Sequence, residues 1–180
     1  MSEQTYDVVL LVEQPLSVLD ARQVRGLHDE VAEPVRYHLL LPVEDAAARI
    51  ESAMGSVAAS EVLVSPALTM SDMDLEETQR GMLERARADL SDCLALLHEA
   101  GADAVGQIVS VDPIDALSAK VSEVDGAEAI ILTRPHVVAE FFHLDWTSRA
   151  RRRIGVPVLH LLEHETFGEQ AGGGEGVTGL

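Results

Sequence analysis

The 180-residue chain has a single cysteine, one lysine and no long hydrophobic run. With only Cys93 available, no disulfide can form within the chain. Of its 13 basic residues all but Lys120 are arginine, and they are outnumbered by 31 acids, for a formal charge of −18. Holding a phosphate backbone or an anionic lipid surface needs clustered Lys and Arg, so nucleic acid and membrane surfaces are excluded as expected partners. The charge excess instead keeps the chain in solution. The arginine-for-lysine skew fits GC-rich coding, so an isolated arginine carries little functional weight. No apolar stretch approaches the roughly 20 residues of a membrane-spanning helix. The opening "MSEQTYDVV" lacks a basic segment followed by an apolar one, so no secretory leader is expected and the cytoplasm is the expected location.

What is present is an ordinary hydrophobic share, 47%, in a length that suits one domain with a proper core. Five apolar runs alternate with helical patterns. "YDVVLLVEQ" (6–14) reads as a strand buried on both faces, and "VRYHLLLPVE" (35–44), "AVGQIVSV" (104–111), "AEAIILT" (127–133) and "VPVLHLLEH" (156–164) read as four further strands. Pro42 closes the second, because proline cannot join a central ladder. Between them, residues 17–33 space Val18, Leu19, Val24, Leu27 and Val31 as a helix. A long helix is expected from a cap at Ser71 or Asp72, with Glu76 and Glu77 in its first turn. It stops at Gly101, with Leu75, Met82, Ala86, Cys93 and Leu97 as its buried stripe. "DPIDALSAKVSEVDG" is a third helix, with Asp112 as N-cap, Pro113 at the first helical position and Gly126 as its end. Residues 145–155 read as a fourth. Strands alternating with helices specify a doubly wound α/β sandwich. Residues 1–165 are expected as one domain, with 45–70 a variable insertion (a short helix from Asp45 to Met54, then "EVLV") and the glycine-rich 166–180 a disordered tail.

In such folds ligands sit outside the carboxyl ends of the strands, which draws attention to "ILTRPHVVAEFFHLDW" (131–146). Arg134, His136, His143 and Asp145 supply the groups for an anion site through charge-assisted hydrogen bonds. The same histidines with an acid suit a divalent metal, although the spacing H-x6-H-x-D matches no metal signature, and no metal is assigned. The alternative is packing: Phe141, Phe142 and Trp146 anchor the loop on the core or on a dimer interface, and the histidines cap helix ends. Glu13, after the first strand, is either a general base at the sheet's edge or an exposed strand-end acid. Asp112 is a helix cap that borders the same crevice. His160, alternating with leucines, reads as a core histidine, and Cys93 as core packing. Ser17 and Ser65 lack a nucleophile elbow.

The second half resembles the universal stress protein family. The residues that carry the likeness are a long helix ending in "HEAGAD", then "VDPIDAL", "EAIILTR" and "VPVLHL" in order, over about residues 75 to 162. The resemblance implies a five-stranded parallel sheet of order 3-2-1-4-5 and a homodimer paired through strand five. In ATP-binding members an acid at the end of strand one, here Glu13, holds the adenine end. A G-x2-G-x9-G-[S/T] loop after strand four takes the phosphates on bare backbone N–H groups, where a Cβ would obstruct the approach. Counted from Thr133, those glycine places hold Thr133, His136 and Trp146, with Thr147 in the Ser/Thr place, and Pro135 removes a donor. No cofactor is therefore assigned, and ATP or AMP is expected to bind weakly at best, with a smaller anion the expected occupant of the loop. Two functions remain open: a non-enzymatic stress-response or regulatory binding module with a modified or lost ATP site, and a small hydrolase or transferase working through Arg134, His136, His143 and Asp145.

Overall fold

A computed structural model describes residues 5–43, 72–133 and 153–162. Its elements run β1 (Tyr6–Val12), α1 (Val18–Gly26), β2 (Val35–Pro42), α2 (Asp72–Glu99), β3 (Asp103–Val109), α3 (Pro113–Val124), β4 (Glu128–Thr133) and β5 (Val158–Leu162). All five expected strands are present. They form one sheet in the order β3-β2-β1-β4-β5, and every neighbouring pair is parallel.

A parallel sheet covered on both faces needs strands that are apolar throughout, and β1 shows why. Because side chains alternate, Val8, Leu10 and Val12 join one core with Tyr37, Leu39, Cys93 and Leu97, beneath α1 and α2. Val9 and Leu11 join the other with Ile114, Leu117, Val121 and Ile131, beneath α3. A one-residue slip of β1 would exchange the two sets, so the register is strongly specified.

The helix ends have local causes. Ser17 and Asp20 form a capping box: Ser17 Oγ accepts from the Asp20 N–H at 3.2 Å, and the Asp20 carboxylate accepts from the Ser17 N–H at 2.8 Å. α1 then ends at Gly26, well short of the expected Glu33, and the chain continues through three-residue turns such as Val31 N–H to His28 O. His28, just beyond the helix, is buried at 5% exposure. α2 ends as expected. Gly101 takes φ +83°, while the Ala102 and Gly101 N–H groups donate to Leu97 O and His98 O. α3 begins on Asp112, whose Oδ1 accepts from the Ile114 and Asp115 N–H groups, both at 3.0 Å. Its end differs from expectation. The left-handed residue is Asp125 (φ 51°), not Gly126. Gly126 serves close packing instead, since a Cβ there would lie 3.3 Å from Val9 Cγ2.

Among the described residues no helix is long and apolar enough to cross a membrane. Several sequence expectations fall outside the described residues: the 45–70 segment with Asp45 and Met54, the Ser71 cap, most of the 145–155 helix, and the 166–180 tail. Of that fourth helix residues 153–154 are described and helical, before Gly155 (φ +81°).

Candidate functional site

The order β2-β1-β4 places the switch point between β1 and β4. Their successors leave in opposite directions, so the two carboxyl ends open a crevice that no crossover fills. Glu13 extends the β1 ladder by one bond, its N–H donating to Leu132 O at 3.0 Å. Beside it, between the ends of β1 and β2 and the flank of α2, lies a cavity of about 150 Å³. Pro15, Leu41, Pro42, Met82 and Ala86 give it apolar walls, and Glu13, Gln14, Arg85 and Asp89 its polar ones. The four helical lining residues sit at i, i+3, i+4 and i+7, which is one face of α2. That spacing was the signal available in the sequence. The buried-stripe reading of α2 included Met82 and Ala86 but passed over Arg85 and Asp89.

Glu13 is only 8% exposed. The expectation of an exposed strand-end acid is thus overturned, because the extended ladder holds Glu13 inside the crevice and not beyond it. Thr133, the last residue of β4, is fully buried, and its Oγ1 lies 2.7 Å from His160 Nε2 on β5. Burial lowers the pKa of His160 below its ordinary 6.5, while the Glu13 carboxylate opposes that shift. The histidine reading therefore holds in that His160 is hydrogen-bonded and largely buried, but its partners are the polar residues of the crevice. Asp112 caps α3 as expected, with its carboxylate committed to the helix end. Arg134, His136, His143, Asp145 and Thr147 lie outside the described residues, as do Phe141, Phe142 and Trp146. Among the described residues no three His, Cys, Asp or Glu side chains gather as a metal site.

At the opposite end of the sheet is a network with no signature in the spacing of its residues. His28 Nε2 lies 2.5 Å from Glu128 Oε1, and His28 Nδ1 lies 2.8 Å from Tyr37 OH. Tyr6 OH donates to Glu128 Oε2 at 3.3 Å, and burial pushes the Tyr37 phenol up to about 12. A second pair joins His38 Nε2 to Asp7 Oδ1 at 2.6 Å. These partners are 9 to 122 residues apart in sequence and meet only in the folded chain, His28 from the turn after α1 and the others on paired strands.

No family model matches this chain, and no curated protein matches it. Solved structures do. The structure of hypothetical protein MJ0577 is 13% identical, with 89% of this chain and 99% of that one covered, at a TM-score of 0.53. A universal stress protein family structure from Arabidopsis thaliana, with AMP bound, is 12% identical over 88% and 92% of the two chains, at a TM-score of 0.49. A universal stress protein family structure from Burkholderia pseudomallei is 17% identical over 86% and 95%, at 0.47. With its five parallel strands in the order 3-2-1-4-5 and helices on both faces, the chain has the α/β fold of the universal stress proteins.

Proposed function

We propose that this protein is a non-enzymatic binding module built like a universal stress protein, whose crevice takes a small, flat, hydrogen-bonding molecule of the adenosine class and grips phosphates weakly. The observation that carries this reading is the cavity at the carboxyl ends of β1 and β2, lined by Pro15, Leu41, Pro42, Met82 and Ala86 together with Glu13. A heteroaromatic ring would pack against apolar surfaces such as Pro15 and Met82, and its amino group would be held by an acceptor on Glu13.

The weak phosphate grip follows from sequence and charge. Thr133, His136 and Trp146 stand where glycines would expose backbone N–H groups, Pro135 lacks one, and the chain carries −18 overall. A charge-assisted hydrogen bond contributes about 1.5–3 kcal/mol. Losing two or three should therefore weaken ATP about a hundredfold or more relative to a glycine-loop site. β5 is an edge strand of the sheet, and pairing of two copies across it is part of this proposal, to be checked by light scattering.

Calorimetric titration with adenosine, AMP and Mg-ATP tests the reading. All three should bind within about tenfold of one another, and Ala86→Leu, which fills the cavity, should abolish all three. Mg-ATP binding a hundredfold tighter than adenosine would overturn the weak phosphate grip. Failure of all three ligands would overturn the adenosine reading, and ATP turnover the non-enzymatic one.

A further inference from the structure

The stripe of α2 that packs toward the sheet runs through Met82, Ala86, Cys93 and Leu97, and one carboxylate interrupts it. Asp89 stands three residues after Ala86 and four before Cys93, on the same face of the helix. A carboxylate in such a stripe costs stability unless it serves a partner or a ligand. A leucine at 86 or 89 would pack into the space beside Pro15 and Leu41, and alanine and aspartate leave that space as the cavity.

Neighbouring contacts fix how deep Asp89 lies. Leu16, next after the lining residue Pro15, donates its N–H to Cys93 Sγ at 3.2 Å, and Cys93 is fully buried. That contact fastens the segment after β1 to α2 on the inner side of the cavity. Four residues of helix, about 6 Å, separate Cys93 from Asp89, and four more separate Asp89 from Arg85. Exposure rises along the same line: Cys93 is buried, Asp89 is half-buried and Arg85 is exposed. Asp89 is therefore the inner of the two charged groups that α2 brings to the cavity, and Arg85 stands at its mouth. Among the described residues neither has a hydrogen-bond or ion-pair partner. The two do not neutralise each other along the helix, where an arginine four residues before an acid is the less favourable order.

A carboxylate accepts hydrogen bonds and donates none. It favours a ring edge that carries an amino group and gains nothing from the same ring without one. The chain's charge of −18 points the same way, toward neutral or amino-bearing occupants. We infer that Asp89 is the specificity-determining residue of the cavity: its carboxylate accepts a hydrogen bond from the ligand's amino group and so selects amino-bearing rings over rings that lack the group. Arg85, at the mouth, takes no part in that selection. The inference rests on the reading of the cavity as a site for the adenosine class.

The test is calorimetric titration at pH 7.5 with adenosine and with purine riboside, which differs from adenosine only in lacking the amino group. The wild type should bind adenosine at least about tenfold more tightly than purine riboside, the scale of one hydrogen bond to a charged group. Asp89→Ala should cut that preference to about threefold or less, by weakening adenosine while purine riboside stays within about twofold. Arg85→Ala should leave the preference within about twofold of the wild type, and an equal fall in both variants would overturn the inference. So would a wild type that binds the two compounds alike, or a preference unchanged in Asp89→Ala with adenosine still bound, and either result would leave the cavity reading standing. A wild type that binds neither compound would sink the cavity reading and this inference with it. Alanine suits a helix, so Asp89→Ala is expected to fold. If it does not, Asp89→Asn, which keeps the shape and removes the charge, takes its place, and a preference lowered by less than about twofold would then overturn the inference.

Discussion

Glu128→Ala removes the carboxylate that faces His28 at the amino end of the sheet. The His28 side chain is 4% exposed and that of Glu128 is 22% exposed, so one partner is buried and the other partly solvated. Removing one member of a fully buried pair costs about 3–5 kcal/mol, and an ordinary hydrogen bond to a charged group about 1.5–3 kcal/mol. Water can reach the vacated site through the exposed side of Glu128, which places the loss near the lower range, at about 2 kcal/mol. The Tyr6 hydroxyl loses only a long bond of 3.3 Å and has solvent to replace it. For a chain of this size a loss of 2 kcal/mol lowers Tm by about 4–8 °C. Urea unfolding followed by circular dichroism at 222 nm supplies the free energy directly. Tyr37→Phe deletes the other partner of His28 and should cost about 1–2 kcal/mol. Because both contacts converge on one ring, the double variant should depart from additivity by at least about 0.5 kcal/mol. An effect of Glu128→Ala below about 0.5 kcal/mol, or strict additivity with Tyr37→Phe, would show that the network does not couple the turn after α1 to β2 and β4, and the reasoning fails.

Further outcomes are expected elsewhere. Cys93 is buried against Leu16, whose N–H donates to its Sγ at 3.2 Å, and burial pushes the thiol pKa up, so Ellman's reagent at pH 8 should react only as the protein unfolds. Asp112→Ala should cost about 1 kcal/mol in urea unfolding, since one oxygen caps two N–H groups at the start of α3. His160 has a folded-state pKa below its unfolded value of about 6.5, so its contribution to stability is fully present above that pH. It is lost as pH falls through the folded pKa, because the unfolded chain takes up the proton first. Unfolding free energies at pH 7.5 and 5.5 should therefore differ less in His160→Gln than in the wild type, and an equal difference would contradict the sign.

Much of the architecture is written locally. "VVLLV" in β1 can be satisfied only where both faces are covered, so the apolar runs mark five strands without reference to any partner, although the edge strand β3 leaves most of its residues exposed. Asp112–Pro113 and Gly101 mark helix ends because capping and positive φ are properties of a few neighbouring residues. Strand order is different in kind. It came from the likeness of "VDPIDAL", "EAIILTR" and "VPVLHL" to a known family, since periodicity does not say which strands adjoin. The end of α1 escaped the helical pattern, because Val31 continues the apolar spacing although the chain beyond Gly26 runs through turns. That Asp125 takes the left-handed turn, while Gly126 sits where a Cβ would crowd Val9, is likewise seen only in the folded chain. Thr133 and His160 stand in separate segments, and nothing in the spacing of 133 and 160 announces their hydrogen bond. Apolar character is a property each residue brings with it, so the strands could be read from the chain. The meeting of polar atoms depends on strand order and register together, and only the folded sheet decides those.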